Sequence, residues 1–195
     1  MYLVFNSGVM KEHRYVYGAK LYTKDFMFNN KIEGEHNSYY DNGQLNEIYN
    51  CKDNKKEGEY KLYFKNGQLM QINNYKNGKI EGESKLYYEN GQLWMICNYK
   101  NNKMNGGCKK YYDDGLTHEI CNYLDGKKDG EYIEYYRNGR LWKICNYKDG
   151  KIEGEYKNYY KNGQLETICN YKNNKLKGEY TEYWGNGKIR LHMFH

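Results

Sequence analysis

The sequence predicts an all-β fold: an elongated, twisted antiparallel β-meander, or ribbon, built from 24-residue β-hairpin repeats. Three observations predict it. The first is a period of 24 that never slips. Residues 79 to 102 read KIEGESKLYYENGQLWMICNYKNN, residues 127 to 150 read KKDGEYIEYYRNGRLWKICNYKDG, and residues 151 to 174 read KIEGEYKNYYKNGQLETICNYKNN. A fixed period of this length marks a repeat architecture. The second is a pair of turn signals in each unit. One is Asn-Gly, as in Asn66-Gly67 and Asn90-Gly91; the other is Asn-Gly, Asp-Gly or Asn-Asn, as in Asn77-Gly78, Asp149-Gly150 and Asn101-Asn102. Such residues accept positive φ at both central positions of a two-residue type I′ hairpin turn. The third is what lies between the turns: runs of nine and eleven residues, rich in Tyr and Ile. Asn and Gly recur too often there for a helix.

Two-residue turns set a register. Around Asn90-Gly91, Tyr88 faces Leu93, Tyr87 faces Trp94 and Ser84 faces Cys97; around Asn101-Asn102, Tyr99 faces Met104 and Cys97 faces Gly106. Side chains alternate along a strand. One face then collects Ser84, Leu86, Tyr88, Leu93, Met95, Cys97 and Tyr99, and is the candidate buried side. The other collects Glu83, Lys85, Tyr87, Trp94, Ile96 and Asn98. Both turns give the same faces, so no bulge is expected.

In chain order, residues 1–33 read as a degenerate capping repeat, with Met10 and Ala19 where the two glycines should stand. Atypical terminal repeats commonly cap an array. Seven units follow as one continuous array: 34–57, 58–81, 82–105, 106–129, 130–153, 154–177 and 178–195. The fourth is irregular. It has Gly106-Gly107 for Gly-Glu, Asp113-Asp114 before the turn glycine, and Thr117-His118 for Leu-Trp. The last ends in LHMFH, leaving an open strand edge. Exposed edges invite pairing, so edge-to-edge self-association through Leu191–His195 is an expectation.

The chain is basic, with a formal charge of +6, and carries 26 tyrosines and no proline. It has no transmembrane run, and MYLVF lacks the basic stretch of a signal peptide, so an intracellular, cytoplasmic location is expected. Cysteine use fits a reducing compartment. Cys97, Cys121, Cys145 and Cys169 share one repeat position. They fall two strands apart, about 9–10 Å, beyond disulfide reach, and are expected to be free thiols. Cys108 stands opposite Cys121, where Cα atoms approach to roughly 4.5 Å. These adjacent thiols are the one pair able to bridge within the chain, and packing of two free thiols is the favoured reading. Cys97, Cys108 and Cys121 share a face but lack a fourth ligand for zinc.

No catalytic constellation, cofactor loop or metal-ligand spacing emerges. The five histidines are scattered, and copies of Glu59, Glu83 and Glu131 lie too far apart to work as an acid and base on one bond. Two rows remain as candidates. Tyr63, Tyr87, Tyr111, Tyr135, Tyr159 and Tyr183, with Trp94 and Trp142 opposite Tyr87 and Tyr135, form a candidate aromatic binding face; cross-strand packing explains them equally. Lys55, Lys79, Lys103, Lys127, Lys151 and Lys175 form an edge able to contact phosphates. Acids two residues later, including Glu57, Glu81 and Glu153, are expected to neutralise much of its field.

The pattern G-E-Y-x-x-Y-Y-x-N-G-Q-L-x-x-I-x-N-Y-x-N-G-K resembles the variant MORN repeat, especially the form in YwqK-like antitoxins and in giant DNA viruses. The likeness covers Gly34 to His195, with residues 10–33 as a degenerate eighth copy. It implies an extended β-ribbon engaged in protein scaffolding, in contact with anionic phospholipid surfaces, or in toxin neutralisation, and it names no catalytic residue. The expected function is therefore a non-enzymatic module binding a protein partner through its aromatic face. Peripheral binding to anionic membranes and antitoxin activity are the alternatives, and nucleic acid is disfavoured as a partner.

Overall fold

The computed structural model describes residues 2–5, 8–17 and 20–195, with side chains at Arg14 and from Thr23 onward. Met1 and Ala19 of the degenerate first repeat lie outside the described residues. Every regular element among the described residues is a β-strand, and every described pairing is antiparallel. The chain divides into two compact units, residues 1–93 with 99–102 and residues 94–98 with 103–195. In the first, strands follow one another as a meander from Tyr2–Phe5 to Gly82–Tyr87. In the second, the meander runs through Lys103–Tyr111 to Ile189–Phe194.

The two turns of each repeat differ in kind. The second is the expected type I′ turn: Asn77 and Gly78 have φ of 52° and 76°, and Asn101 and Asn102 have 51° and 65°. The first is not. Around Asn66-Gly67, the Phe64 N–H donates to the Gln68 carbonyl and the Gly67 N–H donates back to the Phe64 carbonyl. Only Gly67 is left-handed, at 85°. This is a three-residue loop in which glycine supplies the positive φ that closes a type I turn. The extra residue is absorbed at once by a bulge: Tyr63 pairs with Leu69 and Leu62 with Gln71, so Met70 has no partner. The strand bodies thereby keep the expected register, as Tyr132 opposite Cys145 shows.

A second bulge follows each type I′ turn. Tyr147 pairs with Ile152 as expected, but Cys145 then pairs with Tyr156 rather than Gly154. The strand-opening glycine sits inside this bulge with left-handed φ, 82° at Gly154. The expectation of a bulge-free ladder is thus corrected at both ends of the repeat. The cause is local: one surplus residue beside the loop and two around the strand-opening glycine are held in conformations that a loop edge or glycine tolerates.

The bulges gather one residue per strand into a single row. In the first unit it runs His36, Tyr49, Tyr60, Asn73, Ser84, joined by register and, at its end, by a 2.6 Å hydrogen bond from Ser84 to Asn73. In the second it runs Cys97, Cys108, Cys121, Tyr132, Cys145, Tyr156, Cys169, Tyr180, Met193. The cysteines, Tyr132, Tyr60, Asn73 and Ser84 are buried.

The turns of successive repeats are bonded to one another. At the three-residue loops, the Tyr136 and Tyr160 hydroxyls donate to the Tyr159 and Tyr183 carbonyls at 2.7 and 2.8 Å. Asn138 and Asn162 side-chain amides reach Lys161 and Gly185 carbonyls at 3.1 Å. At the type I′ turns, Glu57, Glu81 and Glu153 accept from the first N–H of the next repeat's turn at 2.7 to 2.9 Å. The second turn residue completes the link, as where the Gly150 N–H donates to the Lys128 carbonyl at 2.8 Å. The acids beside the lysine row thus serve as caps for turns.

A methyl added at Gly154 meets nothing within 4 Å, so its cost is that of the left-handed backbone alone. Gly154→Ala is expected to lower unfolding stability by about 1–2 kcal/mol in urea titration. Gly185→Ala, at a position without left-handed φ, is expected to leave the midpoint unchanged.

Candidate binding surface

The tyrosines of the predicted face end the first strand of each repeat. Tyr63 stands three residues after Tyr60, so it points to the face opposite the buried row. The same holds for Tyr87 in the first unit and for Tyr111, Tyr135, Tyr159 and Tyr183 in the second. All six are half-buried. Tyr63, Tyr135 and Tyr159 pair with Leu69, Leu141 and Leu165. Their backbones are held by the loop bonds, since Tyr63, Tyr135, Tyr159 and Tyr183 carbonyls each accept a tyrosine hydroxyl at 2.7 or 2.8 Å.

Trp142 does not join them. It is the unpaired bulge residue between Leu141 and Lys143, and its ring packs on Tyr136, centroids 5.6 Å apart. The Lys143 ammonium lies 5.1 Å from the same ring. That is the side of the buried row, so the expected pairing of Trp142 with Tyr135 is corrected. Trp94, at the corresponding repeat position, is 39% exposed. The extra residue in each three-residue loop is what moves the tryptophan position off the tyrosine face.

Lys55, Lys79, Lys103, Lys127, Lys151 and Lys175 are all exposed. Lys31, one repeat earlier, pairs with Asp53, and the Lys79 ammonium lies 3.4 Å from Asn101 Oδ1. Lys52, Asp53, Lys55, Glu57 and Asn77 line a cavity of about 150 Å³ on this edge, so cations and anions alternate along it.

The cysteine expectation is corrected. Cys108 does stand opposite Cys121, but the disulfide joins Cys108 to Cys97, their Cα atoms 4.1 Å apart. The bulge after the type I′ turn is the reason: it replaces Gly106 by Cys108 as the neighbour of Cys97. Cys51, Cys121, Cys145 and Cys169 are free and buried. Burial pushes the Cys121 and Cys145 thiols up to about 11, so they stay protonated and weakly nucleophilic near neutral pH. Among the described residues no group of three or more His, Cys, Asp or Glu side chains is placed to hold a metal ion.

Two charge networks on the side of the buried row escaped the sequence reading. In the first unit, His36 contacts Asp25 through Nδ1 and lies 3.7 Å from Glu47 through Nε2. Lys56 lies 3.7 Å from Glu47 and over the Tyr49 and Tyr60 rings at 4.0 and 4.1 Å. Glu47, with Asp25, raises the His36 pKa above its ordinary value against the opposing effect of burial. In the second unit, Tyr132 donates to Glu119 at 2.9 Å and to Glu134 at 2.7 Å. Lys110 and Lys128 lie 3.1 and 3.7 Å from Glu119, and Lys143 and His118 lie 2.8 and 3.4 Å from Glu134. Burial pushes the Glu119 carboxyl up, and Lys128, Lys110 and Tyr132 together outweigh it and hold it below its usual range. A signal was present: Lys110 and Glu134 stand where other repeats have Leu62 and Leu86, and Glu119 and Lys143 where others have Gln71 and Met95.

Because the His36 pKa is raised on folding, protonated His36 stabilises the folded chain. That contribution is complete below the ordinary histidine value of about 6.5 and is lost as pH rises through the folded-state value. His36→Gln is therefore expected to lower Tm at pH 6 by more than at pH 9, read by thermal melts across that range. Tyr132→Phe strips a shared donor from two buried carboxylates and is expected to cost about 1–3 kcal/mol by chemical denaturation.

Comparison with known proteins agrees with this repeat geometry. The MORN repeat variant matches residues 32–53, 56–77, 80–101, 128–149 and 152–173, together more than half the chain. The stretch skipped between the third and fourth matches is the irregular unit that carries Cys108, Glu119 and the Asp113-Asp114 loop. No curated protein matches the chain. Five matches in phase, each spanning a three-residue loop and ending at the first residue of a type I′ turn, place the chain in the MORN repeat variant family.

Proposed function

We propose that this chain is a non-enzymatic protein-binding module whose contact residues are the tyrosines of the predicted face, Tyr63 and Tyr87 in the first compact unit and Tyr111, Tyr135, Tyr159 and Tyr183 in the second. MORN repeats generally act in protein or membrane interactions, and the observation favouring a protein is the fixed, half-exposed row of phenols. Tyrosine offers a large amphipathic contact area with few rotatable bonds, so a pre-positioned row loses little entropy on binding. Most of the opposite side is filled by the chain's own cysteines, tyrosines and paired charges. Neutralising a toxin would be one instance of such binding.

The second reading is contact with anionic phospholipid through Lys55, Lys79, Lys103, Lys127, Lys151 and Lys175. It is favoured by their exposure and by the engagement of Glu57, Glu81 and Glu153 with turn N–H groups. Among the described residues no helix is long and apolar enough to cross a membrane.

One experiment separates the two. The protein, a Tyr135→Ala/Tyr159→Ala/Tyr183→Ala variant and a Lys103→Gln/Lys127→Gln/Lys151→Gln variant are tested against cell lysate and phosphatidylserine vesicles over a salt series. The protein reading expects one defined partner, captured at physiological salt, retained by the lysine variant and lost by the tyrosine variant. Salt-sensitive vesicle binding lost only with the lysines would overturn it in favour of lipid.

A further inference from the structure

The repeat supplies its own controls at one position where two tyrosines meet edge to face. Three copies share the arrangement. The Tyr60 and Tyr75 centroids are 5.7 Å apart at 65°, those of Tyr132 and Tyr147 are 5.5 Å apart at 67°, and those of Tyr156 and Tyr171 are 5.6 Å apart at 70°. In the first two, a lysine of the chain occupies the cup between the rings. The Lys56 ammonium lies 4.1 Å from the Tyr60 centroid and 5.5 Å from that of Tyr75. The Lys128 ammonium lies 3.9 Å from Tyr132 and 5.4 Å from Tyr147. Both are cation–π distances.

In the third copy that repeat position is Ile152. Its side chain is uncharged and ends well short of a lysine ammonium, yet the rings keep their geometry. Tyr60 and Tyr132 are buried, at 8% and 4% exposure, whereas Tyr156 is only half-buried. The two rings are the same and the cover is less, while Lys143 stands at the repeat position of Glu47 and Glu119, the acids that pair with the ammonium in the filled copies.

A second observation points the same way. Asn158, two residues after Tyr156 and on the same side of its strand, has a buried Oδ1 without a hydrogen-bond partner. Where this repeat position is a carboxylate, the tyrosine hydroxyl donates to it, as from Tyr132 to Glu134 and from Tyr180 to Glu182. The Asn158 amide instead donates to Glu166 at 2.6 Å, which fixes its orientation and adds a negative charge. A buried acceptor left open is costly. The group that suits both features is a cation that donates N–H and accepts nothing.

We propose that Tyr156, Tyr171 and Asn158 form a binding site for a primary alkylammonium group, with Glu166 supplying the counter-charge. The rings take the cation and Asn158 Oδ1 takes one of its N–H bonds. Lys143, opposite Asn158 in register, does not fill the site. Its ammonium is bound to Glu134 at 2.8 Å and lies over Tyr132. Because the acceptor requires a donor, primary amines bind better than quaternary ones. The same chemistry is offered by a free amine and by a lysine side chain. This site lies on the opposite face from the tyrosine row and stands independently of that reading.

The test is NMR titration of the full chain, with ring signals of Tyr156 and Tyr171 followed at constant ionic strength. The probes are n-butylammonium, tetramethylammonium and a short lysine peptide with blocked termini. The expected result is a saturable shift of both tyrosines by n-butylammonium, with a Kd on the order of millimolar, and weaker binding of tetramethylammonium. Ile152→Lys, which provides the chain's own ammonium, abolishes the shift. Asn158→Leu weakens it about tenfold, as the loss of one hydrogen bond predicts. Binding of the peptide as well assigns a partner's lysine as the source; binding of the free amine alone assigns a small amine. No saturable shift, equal binding of tetramethylammonium, or an unchanged shift in folded Ile152→Lys protein overturns the proposal.

Discussion

Bonds between the turns of neighbouring repeats hold this molecule to its period. A hairpin turn normally satisfies its own backbone and needs nothing from the next. Here each turn lends groups to another: Tyr136 to the carbonyl of Tyr159, Asn162 to that of Gly185, Glu153 to the N–H of Asn173. Donor and acceptor are separated by 20 to 23 residues, so an inserted or deleted residue would break the links on both edges of the sheet. Single hydrogen bonds contribute only about 1 kcal/mol each. Their repetition is what makes an array of short hairpins, none stable alone in water, a cooperative structure.

Much of this was legible from residue spacing. The all-β class, the strand bodies and the type I′ turns follow from residue types with one conformational meaning, as at Asn101-Asn102. The pairing of Cys108 with Cys121 also follows, because loop and bulge at Asp114-Gly115 offset each other. The bulges themselves were hidden. Gly154 and Gly178 looked like strand openers, and an Asn-Gly pair is compatible with either a two-residue or a three-residue loop. The loop ambiguity misplaced Trp142, and the unread glycine bulge after the type I′ turn gave the wrong neighbour for Cys97. The networks around Glu47 and Glu119 were missed for another reason. Each member departs from the repeat singly, and only the fold shows that the departures compensate one another.

The two faces divide the work. One is occupied for the most part by the protein itself, with thiols and phenols in a row and lysines seated on the rings of Tyr60 and Tyr132. The other presents phenols whose backbones are fixed but whose edges remain open. An interface is built from surface that is ordered yet incompletely covered, and the tyrosine face fits that description in both compact units. The lysine edge is ordered too, but its cations alternate with acids such as Asp53 and Glu57.

The irregular fourth repeat carries a meaning that a uniform array would lack. Near-identical copies can mispair during folding, because a strand slipped by one repeat finds almost the same partner. Glu119 prevents that indifference. In its own place it meets Lys110 and Lys128. Against the next copy of the strand Lys127–Tyr135, which is Lys151–Tyr159, it would meet Ile152 and Asn158 where Lys128 and Glu134 should be. A carboxylate buried with half its ammonium partners missing loses several kcal/mol. The odd repeat works as an address within the chain, a single position at which the copies cannot be exchanged.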